Sequence, residues 1–345
     1  MFRAFRVPEA FSFRFPVVSA VARAARIHQM KLLVTGASGF IGRALCARLS
    51  EAGDVELSGT VRSSNYAGAP DGSVTTRELG PDTPWHDLLD SVDVIVHTAA
   101  RVHVMHGPDS LAEYRRVNVD GTLNLARQAA NCGVQRFVFL SSVKANGDNT
   151  QRGHAFGAED QPAPVDAYGM SKYKAEVELL RLTKGHDMEV VTIRPPLVYG
   201  PGVKANFLAL MRWVHKGYPL PFARVHNLRS LLALDNLVDL IRICCVHPRA
   251  ANETFMAADE EDISTAELVT RLGIALNRPA RLLAVPRNLL LALATIAGKS
   301  DQANKLLGNL QIDTRKTREL LNWRPAIGMD QALEATARHF LEGLR

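Results

Sequence analysis

A glycine-rich turn between a short apolar segment and a helical segment constrains this chain more than any other feature. Residues 31–35 have strand character, Gly36, Gly39 and Gly42 follow, and residues 43–52 have helical character. Glycines at this spacing permit a tight turn, let a pyrophosphate approach the backbone and allow close helix–strand packing. The helix N-terminus offers the phosphates free N–H groups and the positive end of its dipole. The spacing therefore predicts an α/β fold that binds a dinucleotide.

A second motif places Tyr168 four residues before Lys172, ahead of a helical run over residues 174–180. Side chains four apart share one helix face, so we expect the Lys172 ammonium to lie over the Tyr168 ring. A cation there favours the phenolate and lowers the tyrosine pKa from about 10, which makes the residue a usable acid or base. A surface pair between Lys172 and Glu176 is the structural alternative. A motif this short also arises by chance, so its context decides.

Both motifs resemble those of the extended short-chain dehydrogenase/reductases, which include nucleotide-sugar epimerases, dehydratases and 4-keto reductases. Phe40 and Ile41 within the glycine turn add to the resemblance, and residues 118–122, 195–202 and 321–325 continue it toward the C-terminus. The resemblance implies a Rossmann-type, doubly wound parallel sheet with a smaller C-terminal α/β lobe that binds the substrate. Residues 195–202 would be the loop that passes from the nicotinamide to the substrate.

The same resemblance divides the chain into three parts. Residues 30–195 are expected to form the dinucleotide-binding domain with the catalytic residues, and residues 196–345 mainly the substrate-binding lobe. Residues 1–29 carry five arginines and one glutamate, which is +4 of the chain's net charge of +6. Because Met30 stands directly before the first strand, we expect residues 1–29 to be a disordered extension or a start site assigned too early. Strands are expected over residues 31–35, 55–61, 74–79, 92–97, 136–140, 190–194 and 253–257.

The resemblance also assigns catalytic roles. Ser142 stands where the family has its catalytic Ser or Thr, which positions the sugar oxygen and the tyrosine. Tyr168 is then the group that moves the hydroxyl proton, while Lys172 lowers its pKa and holds the nicotinamide ribose. Related dehydratases carry Asp-Glu directly after the hydroxyl residue. Val143 and Lys144 stand there in this chain, which argues against elimination of water.

The preferred cofactor is predicted from Arg62, which follows the strand expected over residues 55–61. NAD-selective relatives have an acidic residue there for the ribose hydroxyls, whereas an arginine can pair with a 2′-phosphate. NADP(H) is therefore favoured, with NAD(H) as the alternative. The resemblance implies further cofactor contacts from Gly36, Gly39, Phe40, Ile41, Gly42, Glu78, Leu79, Thr98, Ala99, Ala100, Asn118, Tyr168, Lys172 and Pro195. Glu78 replaces the family's usual Asp, and His97 is expected to be structural.

Substrate contacts are assigned by resemblance to Ser142 for the sugar and to Asn206 and Arg229 for a diphosphate. The expected substrate is a UDP-linked sugar, and the expected chemistry is hydride exchange at its C4 carbon. Residues 142–147 and 194–196 most resemble bacterial reductases that act on UDP-4-keto-6-deoxy-N-acetylhexosamines for surface polysaccharide. A 4-epimerase of the UDP-glucose or UDP-N-acetylglucosamine type is the alternative, and a non-catalytic dinucleotide-binding redox sensor is the third hypothesis.

Composition excludes several other partners. Subtracting the +4 of residues 1–29 from +6 leaves +2, with no basic stripe and interleaved aromatics, so nucleic acid is not an expected partner. The apolar residues 288–297 are too few to span a bilayer and are expected to pack within the substrate lobe, with partner or membrane contact as the alternative. Four cysteines without zinc-site spacing predict no metal and reduced, buried thiols in a cytoplasmic protein. Helices over residues 111–131 and 172–183 are expected to form the seam of a homodimer.

Overall fold

The computed structural model describes residues 29–62, 74–102, 110–298 and 300–344, so residues 1–28 of the expected extension lie outside the described residues. Its strands are β1 (Met30–Thr35), β2 (Val55–Val61), β3 (Val74–Thr76), β4 (Val94–His97), β5 (Arg136–Leu140), β6 (Glu189–Arg194), β7 (Leu197–Tyr199), β8 (Arg229–Ala233), β9 (Thr254–Met256) and β10 (Asp262–Ile263). Its helices are α1 (Phe40–Ala52), α2 (His86–Leu89), α3 (Ser110–Tyr114), α4 (Thr122–Asn131), α5 (Ala167–Leu182), α6 (Ala205–His215), α7 (Leu234–Val246), α8 (Thr265–Ala275), α9 (Arg287–Ile296), α10 (Ser300–Leu307), α11 (Arg315–Leu321) and α12 (Met329–Glu342).

The first lobe is a parallel sheet in the order β3-β2-β1-β4-β5-β6-β9. Helices cover both faces because successive strand residues point to opposite sides. Leu32 and Val34 join the apolar core that includes residues of α1 and α7, whereas Leu33 joins the core that includes residues of α4 and α5. The expected doubly wound parallel sheet is confirmed.

The second lobe has a three-stranded sheet in the order β10-β8-β7. Helices α6, α8 and α12 contribute Phe207, Leu272 and Leu333 to its apolar core. Among the described residues, no helix combines the length and the apolar character that crossing a bilayer requires.

Four local expectations differ from the structure. The helix expected over residues 111–131 contains a π-helical turn, Arg115–Gly121, between α3 and α4. The strand expected over residues 74–79 ends at Thr76. The loop expected over residues 195–202 contains strand β7, which pairs with β8. The apolar residues 288–297 were expected to pack within the substrate lobe, but only part of the surface of α9 does so, and Leu293 is 54% exposed.

The first lobe also takes elements from beyond residue 195. Strand β9 pairs with β6 and extends the parallel sheet, and α7 packs on α1. The chain therefore crosses between the lobes more than once, and the predicted catalytic residues Ser142, Tyr168 and Lys172 lie on the first lobe.

Candidate active site

The glycine turn forms a cradle between β1 and α1. Gly36 has a φ of +76°, and a Cβ added to Gly42 would lie 2.3 Å from the Gly36 carbonyl oxygen. A side chain at either position would therefore disturb the turn. Helix α1 begins at Phe40, and no side chain among the described residues caps it, so its first N–H groups face an anion site. The turn fits the pyrophosphate of a dinucleotide.

A cavity of about 220 Å³ lies beside this turn, at the carboxyl ends of β1, β2 and β4. Ligands of open parallel sheets bind at such strand ends. The cavity brings together predicted cofactor residues, namely Gly36, Gly39, Arg62, Glu78, Leu79, Thr98, Ala99 and Ala100. The remaining predicted cofactor residues do not line it, namely Phe40, Ile41, Gly42, Asn118, Tyr168, Lys172 and Pro195.

A second arginine, which sequence reasoning missed, lines the same cavity as Arg62. The Arg77 backbone N–H donates to the Val61 carbonyl at 2.8 Å, because β3 pairs with β2, and its guanidinium pairs with Asp87. The cavity at the end of β2 is therefore lined by Arg77 as well as Arg62, and Arg101 also lines it. Only the pairing of β2 with β3 brings Arg77 there, and no local sequence signal marks it.

The π-helical turn between α3 and α4 carries Asn118. The Asn118 amide accepts a hydrogen bond from the Arg101 N–H at 2.8 Å and donates to the Arg101 carbonyl at 3.0 Å. It also donates to the Ser171 hydroxyl at 3.1 Å, and Ser171 donates to the Tyr168 carbonyl at 2.8 Å. Asn118 thus has the tertiary partners expected of an asparagine within a helix, and it joins the loop after β4 to the first turn of α5.

Helix α5 holds the Tyr168 motif and begins one residue before it. The Asp166 carboxylate caps the helix by accepting a hydrogen bond from the Gly169 N–H at 2.8 Å. A Cβ on Gly169 would lie 2.5 Å from the Lys144 carbonyl oxygen, so glycine is needed for α5 to approach the Ser142 loop. The sequence motif contains Gly169, but only the long-range contact with Lys144 reveals this requirement.

The Lys172 ammonium lies over the Tyr168 ring, as expected, and it also contacts the end of β5. Its ammonium donates to the Leu140 carbonyl at 2.8 Å, lies 4.6 Å from the Phe139 ring centroid and lies 6.0 Å from the Tyr168 ring centroid. Burial lowers the pKa of Lys172 to about 7. Burial, together with the charge of Asp166, raises the pKa of Tyr168. The expected lowering of the tyrosine pKa is therefore wrong for this arrangement, because desolvation outweighs the distant ammonium.

The Ser142 loop follows β5 directly. The Ser142 hydroxyl accepts a hydrogen bond from the Lys144 backbone N–H at 3.2 Å, and the side chain is half-buried. The Lys144 ammonium donates to Asp148 at 2.8 Å and pairs with Asp166, the cap of α5. Lys144 therefore connects the Ser142 loop to the helix that carries Tyr168.

Glu176 does not form the surface pair with Lys172 that was considered as an alternative. It is buried and binds Arg194 at the end of β6, with Arg194 Nε 3.0 Å from Oε1 and Nη2 2.5 Å from Oε2. Ser141 also donates to Glu176, and Arg194 donates to the Asn146 amide oxygen at 3.1 Å. These contacts join both ends of the Ser142 loop to α5 and β6.

His97 is structural, as expected. Its ring nitrogens lie 2.6 Å from the Thr35 hydroxyl and 3.0 Å from the Thr122 hydroxyl. Burial and the charge of Lys172 lower its pKa to about 3, so the ring is neutral.

The cysteines are free thiols. Cys46, Cys244 and Cys245 are buried as expected, but Cys132 is exposed because it follows the last turn of α4. Within the described parts of the chain, no group of three His, Cys, Asp or Glu residues is arranged to hold a metal.

Neither of the two cavities described for this structure is lined by the predicted substrate residues Ser142, Asn206 and Arg229. Asn206 is exposed in the first turn of α6, whereas Arg229 donates to the Gly308 carbonyl at 3.0 Å. Burial lowers the pKa of Arg229 to about 10. A second cavity of about 490 Å³ lies next to Gly308, and its lining includes Arg152, Arg224, His226, Arg287 and Asn304, which sequence reasoning did not single out.

Comparison with known proteins agrees with the fold. The profile of the NAD dependent epimerase/dehydratase family matches residues 32–258. The chain belongs to this family. It is an enzyme of the nucleotide-sugar epimerase/dehydratase type, and the matched segment includes the glycine turn, Ser142, Tyr168 and Lys172.

Similar proteins cover nearly the whole chain. The UDP-glucose 4-epimerase of Vibrio cholerae is 44% identical over 315 residues, which are 90% of this chain and 95% of that protein. The structure of MoeE5 in complex with UDP-glucose and NAD has a TM-score of 0.74 at 22% identity and covers 91% of this chain and 100% of that one. The UDP-glucuronic acid 4-epimerase of Bacillus cereus in complex with NAD has a TM-score of 0.74 at 20% identity, over 92% and 100% of the two chains.

Proposed function

We propose that this protein is an oxidoreductase that acts at C4 of a UDP-linked sugar and reduces a UDP-4-keto-6-deoxy-N-acetylhexosamine with NADPH, for surface polysaccharide. Arg62 carries this proposal, because it lines the cofactor cavity at the end of β2. An arginine at this position suits the 2′-phosphate that distinguishes NADPH from NADH. A reductase consumes its reductant and exchanges it in every turnover, which favours NADPH as the donor.

The residues around Tyr168 support reduction. The raised pKa of Tyr168 keeps its hydroxyl protonated near neutral pH, so it can donate a proton to the sugar oxygen. Ser142 would hold that oxygen, and the Lys172 ammonium would stabilise the phenolate that remains. When bound, the nicotinamide supplies the hydride. Lys144, held by Asp148 and Asp166, offers no acid/base couple for removing water.

A UDP-sugar 4-epimerase is the second candidate, favoured by the 44% identity to the Vibrio cholerae protein of that name. The same residues would serve it, with Tyr168 first removing and then returning the proton of the C4 hydroxyl. A homodimer through α4 and α5 stays a prediction for either function.

One experiment tests the proposal and separates the candidates. The purified protein is given NADPH and a UDP-4-keto-6-deoxy-N-acetylhexosamine, and in parallel UDP-glucose or UDP-N-acetylglucosamine without added reductant. We expect NADPH oxidation and a C4 alcohol in the first reaction and no conversion in the second. Formation of the 4-epimer with no consumption of NADPH would establish the epimerase instead.

Replacement of Arg62 by Asp should reverse the cofactor preference. The arginine loses its pairing with the 2′-phosphate, and the carboxylate repels that phosphate, so the ratio of kcat/KM for NADPH to kcat/KM for NADH should fall by about 10- to 100-fold. Arg48→Asp is the matched control, because Arg48 is an exposed arginine of α1 that pairs with Glu51 and does not line the cavity. If the ratio of the two kcat/KM values is unchanged in the Arg62→Asp variant, Arg62 does not determine the cofactor preference.

Reductase activity should fall as the pH rises through about 7, where buried Lys172 loses its proton. A lysine with a lowered pKa is charged only below that value, so above it the phenolate on Tyr168 has no counter-charge. The pH profile of kcat/KM from about pH 5.5 to 9 should show this decline. Lys172→Met should give a low rate without a step near this pH. A profile for the unaltered protein that rises over the same range would contradict the assignment.

A further inference from the structure

Helix α9 presents an apolar surface outward. Leu289, Leu293 and Ile296 follow each other at intervals of four and three residues, so they lie on one side of the helix. They are 49%, 54% and 84% exposed, whereas Leu290 and Leu291 pack against the core of the second lobe. We call Leu289, Leu293 and Ile296 the outer face of α9. Its inner side is occupied, and within the described residues its outer face has no covering element.

The chain around α9 is uniformly basic. Between Glu267 and Asp301 the sequence contains no acidic residue but five basic ones, namely Arg271, Arg278, Arg281, Arg287 and Lys299. Arg278, Arg281 and Arg287 are exposed and form no ion pair with a carboxylate of the described residues. An exposed apolar helix face in a basic segment of the chain complements an anionic phospholipid surface.

We propose that α9 binds the surface of an anionic phospholipid bilayer through its outer face, with the arginines that precede it in the sequence supplying positive charge. Ten residues make a helix about 15 Å long, which suits insertion at the boundary between headgroups and acyl chains. Arg287, the first residue of α9, also lines the 490 Å³ cavity with Arg152 and Arg224. This arginine-lined cavity therefore lies next to the membrane-binding helix.

A second copy of the chain is a poorer occupant of the outer face. Stable protein interfaces bury about 800 Å² on each partner, and three side chains on one short helix supply only part of that area. In a symmetric pair, the basic segment of one copy would also meet the same basic segment of the other, with no negative charge to offset it. A bilayer needs no large flat interface and brings the negative charge that this basic segment lacks.

Vesicle co-sedimentation of the full-length protein tests the proposal. We expect binding to vesicles of phosphatidylcholine with phosphatidylglycerol, weaker binding to pure phosphatidylcholine, and release by added salt. The double substitution Leu293→Glu with Ile296→Glu should lower the affinity at least about tenfold. Val246→Glu is the matched control, because Val246 is a 43% exposed apolar residue on α7 of the first lobe, and it should bind as the unaltered protein does.

The fold of each variant is checked by thermal unfolding, and the oligomeric state by light scattering. Equal binding of the α9 variant and the unaltered protein would overturn the proposal, since the basic residues 1–29 would then suffice. Equal binding to neutral and anionic vesicles would overturn the role of the arginines. A dimer that the α9 substitutions dissociate would assign the outer face to a second copy.

Discussion

Tyr168→Phe should abolish turnover while leaving the cofactor in place. The substitution removes only the hydroxyl that moves the proton, so we expect kcat to fall by about 10²- to 10⁴-fold. The ring can keep its edge contact with Tyr114, whose centroid lies 6.1 Å away. The dinucleotide affinity should change little, because Tyr168 does not line the cavity beside the glycine turn. Steady-state rates and equilibrium binding of the dinucleotide, monitored by its fluorescence, measure the two effects.

Tyr114→Phe is the control for this substitution. Tyr114 lies next to Tyr168, but its hydroxyl donates to the Val102 carbonyl at 2.9 Å, so its removal should lower the rate only modestly. If the Tyr168→Phe variant retains turnover, the Tyr168 hydroxyl does not transfer the proton. A large loss of dinucleotide binding in the same variant would instead show that the hydroxyl acts through the cofactor site.

The elements around the cofactor cavity were predictable because their signals are local. Residues 55–61 and 136–140 were expected to be strands and form β2 and β5 with the same bounds. A buried parallel strand is a continuous apolar run, and the glycine turn requires a strand before it and a helix after it. Right-handed connections then limit the possible strand orders. Local signals therefore predicted most strands of the first lobe, and the family resemblance implied their arrangement in a doubly wound sheet.

The contacts of Lys172 with strand β5 were not predictable from helix periodicity. A spacing of four fixes the side of the helix but not the direction of a long side chain. Lys172 turns toward the Leu140 carbonyl and the Phe139 ring, and β5 brings both of these to α5. The pKa of Tyr168 depends on the direction of the Lys172 side chain. The direction of the pKa shift could therefore be obtained only from the three-dimensional structure.

The π-helical turn at Asn118 and the cavity residue Arg77 were missed for the same reason. The side-chain amide of Asn118 forms hydrogen bonds with the backbone of Arg101. Arg77 reaches the cavity because β3 pairs with β2. Each depends on a partner distant in sequence. The same holds for Glu176, which sequence proximity paired with Lys172 but which the fold pairs with Arg194.

Glu176→Ala should destabilise the protein more than any surface substitution on α5. The side chains of Arg194 and Glu176 are 6% and 5% exposed, so the guanidinium would lose its partner inside the protein. Breaking a buried pair in this way typically costs about 3–5 kcal/mol. The loss of the hydrogen bond from Ser141 should also loosen the Ser142 loop and lower kcat. Urea unfolding at equilibrium measures the change in free energy of unfolding.

Glu178→Ala is the matched control on the same helix. Glu178 forms a hydrogen-bonded ion pair with Arg181 at 2.9 Å, but the side chain of Arg181 is 66% exposed. An exposed pair of this kind contributes only about 0–1 kcal/mol, because water and salt screen it.

Replacing the buried pair as a whole, with Glu176→Leu and Arg194→Met together, should restore most of the lost stability, since no unpaired charge remains. If Glu176→Ala costs no more than Glu178→Ala, the buried pair does not hold the Ser142 loop, and the loop must be positioned by Lys144 and Asp166 alone.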